Sequence, residues 1–245
     1  GIRVAVIDKG RKEKQELTSR RAKVLRPLRS SFERYGEVFV SLGVSFVPNF
    51  VSLYDEGVGD EGLYSELTPP KSSGERWIGV APFAKHKGKI YPLDRMEKVV
   101  SKLSEESRVK IFLFGSGDRE REILSLWRER YPGVISLADK RYGFAVELSL
   151  MSRLDVMISM DSANMHLASL VEVPVVSVWG ATHPYCGFLG WRQSDSGVVE
   201  LPLDCRPCSV FGNKPCYRKD YACLEIAPET IVDRVKSLET LIKEK

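Results

Sequence analysis

Between residues 77 and 180 the chain alternates short apolar runs with segments of helical period. WIGVAPF (77–83), VKIFLFG (109–115), GVISLA (133–138), DVMISM (155–160) and PVVSVWG (174–180) are apolar on both faces. The spacing predicts helices over 92–104, 118–130, 146–154 and 164–171 between them. Strands that are apolar on both faces and separated by helices are parallel strands buried between helical layers. The pattern therefore predicts an α/β fold: a Rossmann-like parallel sheet sandwiched by helices. Residues 228–244 open with a proline suited to a first helical turn and bring Ile231, Val235, Leu238 and Ile242 to one face, which predicts a closing amphipathic helix;.

Upstream the pattern is poorer. It predicts a strand over 4–7, a basic loop, and a helix over 31–42. Residues 55–76, DEGVGDEGLYSELTPPKSSGER, are rich in Gly, Pro, Ser and charge and read as a linker;. One strand and one helix cannot cover an apolar face of their own. They are expected either to dock on the main domain or to be the tail of a domain whose front the chain lacks. This divides the chain into 1–70, an incomplete N-terminal remnant and linker, and 71–245, a ligand-binding domain.

Composition leaves that picture unchanged: 43% hydrophobic and 29% charged residues are ordinary for a globular protein;. No apolar run approaches the roughly 18 residues of a spanning helix, and no signal-peptide pattern opens the chain, so a cytoplasmic protein is expected. Charge does add something. Residues 1–36 hold eleven Lys or Arg against four acids, a balance of +7, whereas the rest of the chain carries −3. Such a segment is either a solvated face or an attractor of phosphates. Four of the five cysteines crowd into one stretch as Cys205, Cys208, Cys216 and Cys223. That spacing could hold a structural zinc, but the second pair lacks the tight interval of a ribbon; a packed or redox-labile thiol cluster is the competing reading.

Ligands of open parallel sheets bind beyond the carboxyl ends of the strands. Those ends carry Lys85, Lys87 and Lys89 after the first strand, Gly115-Ser-Gly-Asp118 after the second, Asp161-Ser162-Ala163-Asn164 after the fourth, and Gly180-Ala-Thr-His183-Pro184 after the fifth. Ser162 and Ala163 are small enough for a ligand to approach the backbone. The helix that follows offers unpaired N–H groups to an anion, and His166 lies in its first turn. Asp161 should repel a phosphate, so it is expected to cap the turn or to bind sugar hydroxyls. His183 is expected to shape a turn. The chain shows no GxSxG elbow, HExxH, complete GxGxxG or P-loop, which argues against hydrolase, nicotinamide and ATPase readings.

DSANMHLAS (161–169), PVVSVWGATHP (174–184) and KIYP (89–92), in this order, resemble the C-terminal half of the ADP-heptose:lipopolysaccharide heptosyltransferases, glycosyltransferase family nine. The cysteine-containing stretch 203–231 is similar to the end of some members, so the resemblance spans about residues 77–235. It implies a GT-B architecture, of which this chain would hold the C-terminal half, and an inverting transfer of heptose or a related sugar from a nucleotide diphosphate donor. By motif position Lys89 would act on the diphosphate, with Lys85 near it. Asp161, Ser162, Ala163 and His166 would hold the sugar-diphosphate, Asp118 would fall near the ribose, and adenine would rest near 141–143. No catalytic metal is implied. The acceptor would be an anionic lipopolysaccharide-type saccharide, met at the inner-membrane surface by the basic segment.

One departure bears on activity. The family's first domain opens with a strand and a glycine-rich turn carrying the aspartate expected to act as general base. No counterpart stands in this sequence; Gly59-Asp60 follows no strand. The chain as given is therefore expected to bind donor but to transfer sugar poorly. A non-catalytic nucleotide-sugar or nucleic-acid binding module is the alternative. Nucleic acid is the weaker partner, because only Phe32 and Tyr35 accompany the basic segment as aromatics.

Overall fold

The computed structural model describes residues 2–243, with side chains through residue 241. Six parallel strands, β1 (Arg76–Ala81), β2 (Val109–Leu113), β3 (Val134–Ser136), β4 (Val156–Met160), β5 (Val175–Trp179) and β6 (Val198–Glu200), form one sheet in the order β3-β2-β1-β4-β5-β6. The order reverses direction between β1 and β4, which opens a crevice at their carboxyl ends. In register, Ile78 on β1 stands beside Ile111 on β2 and Val156 on β4.

Seven α-helices and five short 3-10 turns complete the described elements; the helices are α1 (Arg11–Leu17), α2 (Ser31–Ser41), α3 (Leu93–Ser104), α4 (Asp118–Arg130), α5 (Phe144–Met151), α6 (Ala163–Leu170) and α7 (Pro228–Lys243). Successive side chains on a strand point to opposite faces, and each face has its own core. Ile78, Val80, Ile111 and Ile158 pack with Met96 and Val99 of α3, Leu124 of α4, and Ile231, Val235 and Leu238 of α7. Ile242, expected on that same face of α7, lies outside the described side chains. Trp77, Phe112 and Met157 pack on the other face with Leu150 and Met151 of α5 and Met165 and Ala168 of α6. All five predicted strands and the helices between them form within a few residues of their predicted limits. The short strand β6 carries too few apolar residues to stand out in the sequence.

The upstream region differs from its pattern. Residues 4–7 pair with no strand among the described residues, and Val4 and Val6 are exposed. A strand needs a hydrogen-bonded neighbour, and no described strand pairs with this run;. The expected basic loop contains α1, whose RKEKQEL is built of good helix formers;. It shows no periodicity because Leu17 is its one buried residue. The helix expected over 31–42 forms as α2 and starts on a capping box: Ser30 accepts from the Glu33 N–H while the Glu33 side chain accepts from the Ser30 N–H;. Of residues 55–76, expected as a linker, Arg76 already belongs to β1, and 55–75 contain a single 3-10 turn (Glu61–Tyr64) as regular structure, but they pack on the sheet. Tyr64 is fully buried against Trp77, and the Gly59 N–H donates to Ser152 Oγ at 2.8 Å. No described helix is long and apolar enough to cross a membrane.

Candidate functional site

The crevice at the strand ends is a cleft of about 710 Å³. Its lining includes Lys85, Lys89, Asp161, Ser162, Ala163 and His166, residues up to 81 positions apart in the sequence.

Lys89 is fixed by its backbone surroundings. It ends a 3-10 turn (Lys87–Lys89) in which its N–H donates to His86 O at 2.9 Å. The turn is tied to the end of β5 by the Ala181 N–H donating to Gly88 O at 2.8 Å. That approach requires glycine at position 180, because a Cβ there would stand 2.5 Å from Gly88 O. On the other side, Gly212 packs against the Lys89 stem so closely that a Cβ would lie 2.4 Å from Lys89 Cγ. The ammonium group then stands 2.9 Å from Asp161 Oδ2.

Asp161 is 4% exposed and lies where β4 turns into α6. It forms an ion pair with Lys89 and, among the described residues, caps no N–H group as it was expected to; the N-cap of α6 is Ser162, whose side chain makes no capping bond either. Ser162 Oγ is instead 3.2 Å from Ser159 Oγ. The start of α6 therefore presents first-turn N–H groups to the cleft without a side-chain acceptor, with the positive end of the helix dipole behind them. Burial, assisted by the Lys89 charge and opposed by Asp161, holds the His166 imidazole below its ordinary 6.5. His166 is thereby held toward its neutral form, which has one ring N–H to offer;.

Not every expected group reaches the cleft. Asp118 opens α4 with its carboxylate in solvent, paired with Arg121. Glu120, two residues later, lines the cleft and accepts from the Ser116 N–H at 2.8 Å. Residues 141–143 do not line it, whereas Phe144 and Glu147 of α5 do. Glu147 escaped the sequence reading because a glutamate in a first helical turn is commonplace. Burial raises its carboxyl above the ordinary 4.5, with no charged group acting on it. From the basic segment, Lys14 stands 5.4 Å from the ring centre of Phe188 and 5.9 Å from that of Phe211, two walls of the cleft. His183 does shape a turn: its Nδ1 accepts from the Tyr185 N–H at 3.1 Å, and its Nε2 faces Glu200 at 3.3 Å.

The zinc reading of Cys205, Cys208, Cys216 and Cys223 finds no support. Among the described residues no three His, Cys, Asp or Glu side chains are arranged to hold a metal ion. Burial pushes the Cys223 thiol up to about 11 and raises Cys208 too, so both stay protonated at neutral pH. Arg206 does the organising instead. Its buried guanidinium donates to Gly180 O (2.6 Å), Leu201 O (2.7 Å), Thr182 O (2.9 Å) and Glu200 Oε2 (2.8 Å). The cysteine loop so anchored contributes Phe211 to the cleft and Gly212 to the Lys89 support.

Residues 60–216 match the family model described as glycosyltransferase family 9 (heptosyltransferase). A curated relative, lipooligosaccharide heptosyltransferase 2 of Campylobacter jejuni, is 25% identical over 172 residues, which are 69% of this chain and 53% of the relative. The chain thus spans about half the length of the curated relatives it matches. Among solved structures, E. coli ADP-heptose LPS heptosyltransferase II is similar with a TM-score of 0.64 at 18% identity, covering 91% of this chain and 66% of that one. An E. coli heptosyltransferase solved with ADP is similar with a TM-score of 0.59 at 16% identity, covering 88% and 58%. At these identities the structural likeness is one of fold.

Proposed function

The chain belongs to glycosyltransferase family 9, and from that premise we propose that the domain beginning near residue 71 is the donor-side half of an inverting sugar transferase. Its donor is a nucleoside diphosphate heptose or a related sugar, with ADP the favoured nucleotide. Its acceptor is an anionic saccharide of the lipopolysaccharide core, met at the cytoplasmic face of the inner membrane. One observation carries the reading: the Lys89 ammonium, the His166 imidazole and the uncapped start of α6 converge on one open cleft. The names of the curated relatives and the ADP carried by a structural neighbour support the donor class.

The chemistry follows from charge. An acceptor hydroxyl oxygen attacks the anomeric carbon as the bond from that carbon to the diphosphate oxygen breaks, and negative charge grows on the leaving diphosphate. Lys89 exchanges Asp161 for the diphosphate, while the α6 N–H groups and the His166 ring N–H donate to its oxygens. Preorganised donors of this kind are worth about 2.7–4 kcal/mol each in a transition state. Asp161, freed of Lys89, turns to hydroxyls of the sugar. The acceptor proton is assigned to no residue of this chain, so donor binding without efficient transfer is the expected behaviour of the polypeptide alone. Cations of the 9–34 segment, Lys14 foremost, face the acceptor's anionic groups.

Titration calorimetry with ADP and UDP tests the reading. Removing the ammonium in Lys89→Ala should weaken ADP binding about 10- to 100-fold, the cost of a charge-assisted contact to phosphate. Equal affinity of the wild type and Lys89→Ala for ADP would defeat the proposal. Tight binding of a short RNA that ignores the Lys89 change would favour a nucleic-acid module.

A further inference from the structure

Cations of the sheet domain are commonly paired, as Lys71 is with Asp155, Lys110 with Glu75 and Arg153 with Glu61. One group stands apart. Lys85, Lys87, Arg119 and Lys219 are exposed and ring a cavity of about 880 Å³. Among the described residues none of the four makes an ion pair or a side-chain hydrogen bond. Lys87 only lies over the Tyr221 ring, 5.1 Å from its centre. The carboxylates of the same lining are already engaged: Asp220 with Arg218 at 2.9 Å, Glu225 with Arg95, and Glu120 with the Ser116 N–H.

This cavity is not the cleft of Lys89, Asp161 and His166, none of which lines it. The 3-10 turn Lys87–Lys89 divides the two: Lys89 reaches Asp161 on one side, Lys87 lies over Tyr221 on the other, and Lys85 stands at the rim of both. Solvated lysines on a surface are ordinary. These differ in two ways. They come from segments far apart in the chain and meet only because the fold gathers them. They also surround a concave apolar floor that includes Phe83, Ile90 and Leu224, and low-dielectric walls focus a field of one sign;. Lys219 and Tyr221 hold left-handed φ angles of 65° and 49°, a costly backbone for residues with a Cβ, to close the ring on that side;. Like charges so gathered repel one another until an anion joins them. A carboxylate returns a single negative charge, whereas a phosphate monoester returns about two and offers about three acceptor oxygens. Single-stranded nucleic acid fits less well, because its bases stack on free aromatic faces and the Tyr221 ring already carries Lys87;.

We propose that Lys87, Arg119 and Lys219, with Lys85 at the shared rim, form a binding site for a phosphate monoester, separate from the cleft of Lys89. The inference does not depend on the donor reading. The monoester is carried either by an anionic lipid headgroup or by a free phosphorylated small molecule, whose organic part lies on the apolar floor. The full chain, Lys89→Ala, Lys219→Arg and a double variant, Lys87→Gln with Lys219→Gln, are titrated with inorganic phosphate by calorimetry. The same proteins are sedimented with phosphatidylcholine vesicles, with and without phosphatidic acid. A free ligand predicts phosphate binding that the double variant weakens about tenfold or more, the scale of lost hydrogen bonds between charged groups, and no sedimentation with either vesicle. A lipid ligand predicts sedimentation of the wild type with phosphatidic acid vesicles alone, lost in the double variant. In both cases Lys219→Arg, which keeps the charge, and Lys89→Ala, which acts in the other cleft, behave as the wild type does. The double variant melts with the wild type, since neither lysine is paired, so its lost binding is not lost fold. Binding by neither probe, binding that survives the double change, or binding that disappears with Lys89→Ala instead overturns this inference and leaves the donor reading standing.

Discussion

The sheet domain and the upstream region, residues 2–53, are held together by different physics. In the sheet domain two layers of aliphatic and aromatic side chains are closed off from water on either side of six strands. Upstream, the large hydrophobics are mostly exposed, Val4, Val6, Phe39, Val40 and Val47 among them, and Leu17 is the one apolar side chain shut away completely. Order there comes from charge. Arg34, 3% exposed, donates to Asp8 O at 3.1 Å and to Glu13 Oε2 at 2.8 Å, while Arg29 bridges Asp8 and Glu37. A few polar links dock the region: Lys23 Nζ donates to Arg206 O at 2.7 Å, the Leu28 N–H to Tyr185 O at 3.0 Å, and the Trp191 Nε1–H to Phe50 O at 3.0 Å. Ionic screening does not weaken an apolar core, but it does weaken a network of half-exposed ion pairs. The sheet domain is therefore expected to unfold cooperatively and the upstream region to open locally.

That contrast can be broken from the core side first. Phe112→Ala, which empties a fully buried position between Trp77 and the α5 layer, should cost about 3–5 kcal/mol in urea unfolding of the sheet domain;. Arg206→Met tests the junction. It leaves the carbonyls of Gly180, Leu201 and Thr182 and the Glu200 carboxylate without their shared donor, and should cost about 2–4 kcal/mol;. Because the same loops support Lys89, ADP affinity should fall with it; calorimetry of a still-folded Arg206→Met would show whether the support is needed.

The smallest global effect belongs to Arg34→Met. Proteolysis within residues 2–53 should speed up on the order of tenfold, while the melting temperature of the sheet domain barely moves. Acid should act in the same direction. Bonding to Arg34 holds the Glu13 carboxyl below its ordinary 4.5, so the stability this contact contributes is complete above that pH and is lost as the pH falls through the folded value. In Arg34→Met that acid step should vanish from the cleavage profile. A single melting transition that shifts equally for core and upstream variants would show that the two regions are one cooperative unit.

Legibility followed the same division. Where the chain is held by apolar layers, the run from Trp77 to Trp179 announced its strands, its helices and the rim where Lys89, Asp161 and His166 meet, because burial on two faces imposes composition and period directly. Where it is held by charge, the reading went astray at 4–7 and across α1. The apolar run Val4-Ala-Val-Ile7 has the composition of a strand whether or not a partner edge exists, and α1 buries too little to show a stripe. The candidate site was legible as a set of strand ends. Two glutamates of its lining, Glu120 and Glu147, were not legible, and Asp118, expected near the ribose, pairs with Arg121 outside that lining, since a side chain's direction within a helical turn leaves no local mark.

Sequence alone was enough for the parallel sheet, its approximate limits and the residue types at its carboxyl rim, since each depends on neighbours within a few positions along the chain. Tertiary structure alone decided that Lys89 pairs with Asp161 at 2.9 Å, that Gly180 and Gly212 make room for the lysine that does so, and that Glu147 faces the cleft without a partner. Those relations join segments dozens of residues apart. They exist only after the sheet has brought its loops together, and the energies that set them are contacts between surfaces no local pattern describes.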